Sequence, residues 1–336
     1  MVDLLIVIIG ACLLLYITLG GSDFGAGILE LLPAGELRDA QKRAVNAAMG
    51  PVWEANHMWL ILVVVILFMG FPPLFTTLMV SLHVPMLALL GGIVVRGCAF
   101  TFRHYDAVQS PRSQRVYTWL FGLSSLWTSW WLGTIAASLH RGIIDPEARS
   151  VWSAYFAPWW GWYPMAVAGF VTCIFVFLAS VFLIGETEDP ALRRRFTRAA
   201  IRANIAVVLA GGAVFLSSFY ERENLFNAVT QTPAIWVLVA AATGLLVLLW
   251  NFVNRRRTLL VRTMAAGQVA LILGGWYLLY VPRAVTTVTG PVRFHDVAAP
   301  PATLTQLLIA LVVGSGLIFP ALYYLLRVFK LSPPSD

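Results

Sequence analysis

The sequence predicts an all-α polytopic membrane protein with about nine transmembrane helices. Hydrophobic residues make up 59% of the 336 residues and charged residues only 12%, a ratio that would leave a water-soluble domain covered in apolar side chains. Mean hydropathy is +0.79. The apolar residues fall into long runs, and a helix needs roughly 20 such residues to cross the hydrocarbon layer. We therefore expect a single integral membrane domain over 1–336.

Nine runs are long and apolar enough to cross a membrane. They cover about 4–32, 51–72, 74–100, 117–139, 160–185, 203–220, 233–253, 259–281 and 304–327. Only the turn Phe71-Pro72-Pro73 joins the second run to the third. The first run has no basic residue before Arg38. It therefore lacks the basic start of a secretory signal and is predicted to be a retained helix.

The basic residues indicate how the helices are oriented. When nine helices are threaded through a bilayer, 18 of the 23 Lys and Arg residues fall on one side. The other side receives Arg141, Arg149, Arg222, Arg283 and Arg293. Because basic residues accumulate in cytoplasmic segments, we expect a periplasmic N-terminus and a cytoplasmic C-terminus. The formal charge of +7 then needs no nucleic-acid partner.

Cysteine and tryptophan patterns exclude some site classes. Cys12, Cys98 and Cys173 are single residues inside apolar runs, and this spacing does not suit a zinc knuckle, a disulfide framework or c-type haem. Tryptophans crowd the segment 127–162, on both sides of one loop that is predicted to be external. Such residues are typical of interfacial anchors.

Three ionisable residues fall within predicted helices, where a charge is costly and indicates a function. They are Asp23 on the first helix, Glu54 on the second and Arg96 on the third. All three are predicted near the cytoplasmic ends of their helices, at similar depth. They can converge, with Arg96 neutralising one carboxylate and leaving the other to take up a proton.

Asp23 follows Gly21 and precedes Gly25, a small-xxx-small spacing that lets another helix backbone approach closely. A carboxylate between two closely packed helices suits a structural ion pair as well as a proton relay. The sequence leaves both interpretations open.

Glu54 begins a helix that has Pro51 in its first turn, and His57 follows on the same face. A glutamate and a histidine on one face near the cytoplasm suit a proton-uptake path. Ordinary solvation at the membrane surface explains them equally well.

Haem ligation by this chain is disfavoured. A buried haem b takes an axial His backed by another His or Met. His57 and His83 are the histidines well inside predicted helices, but they lie on different helices and at different depths. We expect no cofactor and no metal ion bound by this chain.

Two of these motifs resemble subunit II of the cytochrome bd-type quinol oxidases, including the cyanide-insensitive branch. Residues 21–27 match a GxDFGxG-like element on the first helix of that family, and residues 50–61 match a longer GPVWExNHxWLI-like element on the second. Arg96 corresponds to an arginine near the end of the third helix. Residues 232–236 resemble a TPxxW segment, and residues 295–298 resemble the xDA element before the last helix.

The resemblance implies a subunit of a respiratory complex of the bacterial inner membrane that oxidises quinol and reduces oxygen to water. In that family subunit I carries the b- and d-type haems and the quinol site, and subunit II packs beside it without haem. The resemblance implies that Glu54 takes up protons from the cytoplasm, with Asp23, Arg96 and His57 as relay or support. It also allows a structural quinone and a small accessory subunit.

Two other functions remain open at this point. A proton-coupled secondary transporter would use Asp23, Glu54 and Arg96 as its coupling site, but the inverted repeats typical of transporters are not evident. A purely structural membrane subunit would use the same charges only to specify helix packing.

Overall fold

The computed structural model describes residues 1–50, 53–106, 110–221, 223, 225–254 and 257–327, with the side chains at 54, 254, 325 and 326 left out. It confirms the all-α fold class. The helices are α1 (Val2–Leu15), α2 (Gly21–Leu31), α3 (Arg38–Met49), α4 (Trp53–Gly70), α5 (Pro72–Ser81), α6 (His83–Tyr105), α7 (Pro111–Ser138), α8 (Val151–Tyr155), α9 (Trp162–Ile184), α10 (Pro190–Tyr220), α11 (Leu225–Gln231), α12 (Pro233–Asn254), α13 (Thr258–Tyr280) and α14 (Pro301–Leu326). A short hairpin of β1 (Arg283–Thr287) and β2 (Gly290–Arg293) precedes α14.

Several helix starts follow directly from the sequence. Ser110 accepts a hydrogen bond from the amide of Ser113 at 3.1 Å and caps α7, whose first residue is a proline. Asp189 caps α10 in the same way, accepting from the amide of Ala191 at 2.8 Å. Both helices therefore combine a capping side chain with proline at the first helical position.

Within the described residues, seven helical segments are long and apolar enough to cross a membrane, or eight if the bent pair α4 and α5 counts as one. The first of the seven, Val2–Leu31, joins α1 and α2 through a π-helical turn at Tyr16–Gly20. α7 is 28 residues long, which is enough to cross, but its many Ser and Thr residues keep it outside this set. Those hydroxyls face other helices rather than lipid.

The structure divides the run 74–100, which the sequence predicted to be one helix. α5 ends at Ser81 and α6 begins at His83, while α4 and α5 are bent by 118° relative to each other. Pro72 and Pro73 lack amide donors, so they end the hydrogen-bond ladder of α4. Hydropathy stays high across all these breaks, which is why the sequence did not reveal the break at Leu82.

Helices α2, α7 and α9 form the tightly packed centre, where glycines allow close approach. A Cβ on Gly25 would meet the backbone oxygen of Phe175 on α9, and one on Gly122 of α7 would lie 3.0 Å from the backbone oxygen of Gly27. Gly133 of α7 packs against α9 in the same manner, since a Cβ added there would lie 2.6 Å from the Cα of Ala168. α6 packs on α7, α10 on α9, and α12 on α13.

The bundle has two distinct ends. We call the end where α2, α6 and α9 finish the basic end. We call the other the hairpin end, since β1 and β2 lie there in antiparallel register, with Thr287 opposite Gly290. At the hairpin end Arg141 pairs with Glu221 at 3.0 Å and with Glu223 at 2.8 Å. This arrangement ties the loop after α7 to the end of α10.

Candidate functional site

Asp23 and Arg96, two of the residues that the sequence singled out, form an ion pair inside the bundle. The Arg96 guanidinium lies 2.5 Å from the Asp23 carboxylate, and each side chain is only 1% exposed. Asp23 is on α2 just after the π-helical turn, and Arg96 is on α6. The structure therefore brings a carboxylate and its counter-charge together within the helical bundle.

Arg96 is held from several directions. Its Nε donates to the Ser125 hydroxyl of α7 at 3.1 Å. Its guanidinium also lies over two aromatic rings, 4.8 Å from the centroid of Phe24 and 4.9 Å from that of Phe121. Cation–π contacts of this kind are stronger when water is excluded. Asp23, Ser125 and the two rings together fix the guanidinium between α2, α6 and α7.

A second buried ion pair, which was not predicted from the sequence, lies two helical turns closer to the basic end. Arg103 of α6 is 2.6 Å from Glu30 of α2, and their side chains are 1% and 3% exposed. Arg103 also donates to the Asn46 side chain of α3. The two acids are seven residues apart on α2, and the two arginines are seven residues apart on α6. Both ion pairs therefore join the same face of α2 to the same face of α6. The sequence did contain one signal for this pair, since an acid seven residues after Asp23 matches an arginine seven residues after Arg96.

The ring of Phe121 joins the two ion pairs. The Arg103 guanidinium lies 4.7 Å from its centroid, and Arg96 lies at a similar distance from the same ring. Both cations therefore share one aromatic neighbour on α7.

The ion pairs continue toward the basic end through polar side chains. Lys42 of α3 donates to Gln114 of α7 at 3.0 Å, and Gln114 donates in turn to the backbone oxygen of Arg103 at 3.1 Å. Burial of the Lys42 ammonium, with the nearby charge of Arg103 as the next cause, lowers its pKa from the ordinary value of 10.5. Polar groups thus extend from Asp23 to the surface at the basic end.

His57 lies beside this polar region. Its ring centroid is 5.9 Å from that of Phe24 and 6.3 Å from that of Tyr16. Nδ1 of His57 is buried and has no hydrogen-bond partner within the part of the chain that the structure describes. Glu54 belongs to the first turn of the same helix, α4, but its side chain lies outside the described residues.

The π-helical turn at Tyr16–Gly20 connects α4 to the ion-paired region. The backbone oxygen of Leu19 accepts from Ser22 at 2.7 Å and from the buried Asn56 side chain of α4 at 3.5 Å. π-helical turns within α-helices are frequent at functional sites because they redirect backbone groups. Here the turn presents a carbonyl to the helix that carries His57 and Glu54.

The described residues give no group of three or more His, Cys, Asp or Glu side chains that could hold a metal ion. His57 lies one turn into α4 from the basic end, whereas His83 begins α6 at the hairpin end and contacts Tyr155 of α8 at 6.4 Å between ring centroids. The two histidines therefore lie on different helices, with different aromatic neighbours.

The chain matches a known protein family along almost its whole length. The family model for cytochrome bd terminal oxidase subunit II matches residues 1–329. The chain belongs to this family. Membership confirms the resemblance predicted from residues 21–27 and 50–61, and with it the class of enzyme complex, a quinol oxidase, in which this multi-pass subunit II takes part.

Two relatives of this subunit II share less than a quarter of its residues over the matched segments. The cytochrome bd ubiquinol oxidase subunit 2 of Bacillus subtilis is 23% identical over 85% of this chain and 82% of its own length. The cytochrome bd-I ubiquinol oxidase subunit 2 of Escherichia coli K12 is 22% identical over 44% of this chain and 39% of its own length. A chain in the structure of bd oxidase from Geobacillus thermodenitrificans has the same fold, with a TM-score of 0.77, 18% identity and 99% coverage of both chains.

Proposed function

We propose that this chain is the haem-free second subunit of a bd-type quinol oxidase and that it supplies a proton-uptake path from the cytoplasm. In this proposal it packs against the haem-bearing subunit I, where quinol is oxidised and oxygen is reduced. The family membership supports the first part. The buried polar region between α2, α4 and α6 supports the second.

The observation that best supports a proton path is the presence of two buried ion pairs toward the basic end. Charges inside a membrane protein are costly unless they are paired or serve a pathway. The two ion pairs place four charged groups between one face of α2 and one face of α6, namely Asp23 with Arg96 and Glu30 with Arg103. Their pairing leaves the region electrically neutral, so a proton that arrives on a neighbouring carboxylate meets no excess of positive charge.

Glu54 is the proposed acceptor of that proton. It shares a face of α4 with His57, one turn away, and His57 contacts the aromatic ring of Phe24 that also lies against Arg96. Asp23 and Arg96 are proposed to hold the local charge constant, while His57 is proposed to support the relay. Glu54 begins its helix at the basic end, which we propose faces the cytoplasm of a bacterial cell.

Such an arrangement contributes to a proton gradient without a pump. Protons for oxygen reduction are taken from the cytoplasm, and quinol oxidation on the other side releases protons there. This subunit then supplies the inward half of the path, and subunit I supplies the redox chemistry.

The test compares Glu54→Gln with Glu54→Asp in the purified complex. Glu54→Gln removes the titrating group at nearly constant shape, so we expect quinol-driven oxygen consumption to fall by about tenfold or more. Glu54→Asp is expected to keep part of the activity. Glu36→Gln, an exposed carboxylate near the same end, is the matched control and is expected to keep full activity.

Reduced-minus-oxidised haem spectra show whether each variant complex is assembled. Full turnover of an assembled Glu54→Gln complex would contradict the proton role. If Asp23→Asn then impaired assembly while Glu54→Gln turned over normally, the chain would act as a structural subunit only.

A further inference from the structure

A groove at the basic end, away from the ion pairs, has the chemistry of a lipid site. It has a volume of about 470 Å³ and lies between the end of α2, α9 and residues 195–206 of α10. Its apolar wall is formed mainly by small and aliphatic side chains. They include Leu29, Val176, Ala199, Ala203 and Ala206.

Three arginines of α10 border this groove. Arg195, Arg198 and Arg202 are spaced by three and four residues, so they follow one another along one helix face. The residues that line the groove include no Asp or Glu. Among the described residues, neither Arg198 nor Arg202 lies in a salt bridge with a carboxylate, and both are exposed. The rim is thus strongly cationic.

Arg195 differs from the other two because it is part of the wall. Its Nε donates to the Gln41 side chain at 2.5 Å, and Gln41 donates to the backbone oxygen of Leu29 at 2.8 Å. These bonds fasten α10 to α2 and α3. The groove is therefore built by fixed contacts, and Arg198 and Arg202 carry the charges that remain for a ligand.

The length of α10 places the arginines at the level of lipid headgroups. α10 has 31 residues and is about 46 Å long at 1.5 Å per residue, whereas the hydrocarbon layer is about 30 Å thick. The apolar run predicted from the sequence begins at residue 203, directly after Arg202. Arg195 and Arg202 are about 10 Å apart along the axis, which is comparable to the depth of one headgroup layer.

We propose that this groove binds one anionic phospholipid of the leaflet at the basic end, with its phosphate on Arg198 and Arg202 and an acyl chain along the alanine wall. A zwitterionic lipid would offset part of the attraction with its own cation. A quinone ring carries no charge to match two guanidinium groups. The chemistry of the rim and the wall together therefore favours an anionic, acylated ligand.

Native mass spectrometry of the delipidated oxidase complex tests this proposal, with dioleoyl phosphatidylglycerol and dioleoyl phosphatidylcholine as probes. We expect the wild-type complex to bind phosphatidylglycerol in preference. Arg198→Gln/Arg202→Gln is expected to weaken that binding about 30-fold, since each basic residue near a lipid phosphate contributes about 1 kcal/mol. Arg193→Gln/Arg194→Gln removes the same charge from the same helix and is expected to bind normally.

Two further variants separate charge from shape. Ala203→Leu fills the alanine wall without changing charge and is expected to weaken phosphatidylglycerol binding. Arg198→Lys/Arg202→Lys keeps the charge and is expected to retain most of the phosphatidylglycerol binding. Glycerol 3-phosphate, which has no acyl chain, is expected not to compete.

The proposal is overturned if Arg198→Gln/Arg202→Gln and Ala203→Leu both bind phosphatidylglycerol as the wild type does, or if phosphatidylcholine binds equally well. Displacement by decylubiquinone would make the groove a quinone site instead. Competition by glycerol 3-phosphate would make it a site for free phosphate compounds.

Discussion

Arg96 lies 2.5 Å from Asp23 at a place where both side chains are 1% exposed. The charges come from α6 and α2, and 51 residues of chain lie between the end of α2 at Leu31 and the start of α6 at His83. Their meeting links the first membrane span to the third transmembrane segment. Three predictions concern this pair and the helices around it, and a fourth concerns the hairpin end.

Neutralising only one partner of the Asp23–Arg96 pair should lower the stability of the complex more than neutralising both partners. Asp23→Asn or Arg96→Gln alone leaves a buried charge without its counter-charge, so each is expected to destabilise the complex by about 3–5 kcal/mol. The double variant is expected to be less destabilised than the sum of the two. A double-mutant cycle on thermal unfolding of the purified complex measures this coupling. Arg38→Gln/Asp39→Asn, at exposed positions of α3, is the control, and additive single effects would contradict the prediction.

Arg103→Lys should loosen α3 although it keeps the charge. The guanidinium contacts Glu30 with one nitrogen and Asn46 with another, and a lysine ammonium cannot reproduce that forked geometry. We expect a loss of about 1–3 kcal/mol. Hydrogen exchange should rise in 38–49 and stay unchanged in 162–184. The exposed Arg112→Lys is the matched control, and unchanged exchange in 38–49 would rule out a bridging role for Arg103.

Gly25→Ala should disrupt the contact between α2 and α9. A Cβ at this position would meet the backbone oxygen of Phe175, and backbone atoms cannot move aside as a flexible side chain can. We expect a destabilisation of about 1–3 kcal/mol and a lower yield of assembled complex. Gly169→Ala on α9, which faces open space, should be tolerated. Equal yields for the two variants would show that α2 and α9 do not pack this closely.

His140 should make the hairpin end sensitive to acid. Burial, followed by the charge of Arg283, lowers the pKa of His140 to about 3. The unfolded chain binds a proton below its ordinary pKa of 6.5 while the folded chain does not, so stability should fall as pH drops from 6.5 toward 3. At pH 5 the effect is at most about 2 kcal/mol.

His140→Phe tests this, because phenylalanine can keep the stacking on Tyr280, whose ring centroid is 4.0 Å away. We expect the difference in inactivation rate between pH 7.5 and pH 5 to shrink in this variant. Tyr155→Phe, another aromatic change near the hairpin end, is the control and should keep the wild-type difference. An unchanged difference in His140→Phe would mean that His140 does not contribute to acid sensitivity.

The sequence predicted the features that depend on local composition. Long apolar runs indicated membrane helices, and the depth of Asp23 and Arg96 along their helices indicated that the two could meet. The spacing of Gly21 and Gly25 indicated a close helix contact, which the structure shows between α2 and α9. Each of these signals lies within one helix.

Features that depend on distant partners were not predicted. The third helix predicted from hydropathy ends at residue 100, which places Arg103 in a loop, whereas α6 continues to Tyr105 and buries that guanidinium against Glu30. The pairing of Arg141 with Glu221 and Glu223 joins residues about 80 positions apart. Hydropathy does not report which of many charges that are distant in the sequence will meet.

The bend between α4 and α5 forms the contact surface for the segment that precedes α14. The carbonyl of Gly70 accepts from the amide of Ala299 at 2.8 Å, and Phe71 packs edge-on against Phe294 with ring centroids 5.0 Å apart. Both partners lie in the segment between β2 and α14. Because the chain is synthesised from its N-terminus, the residues of the bend are translated before the segment that they contact, and the path of the chain into α14 depends on both.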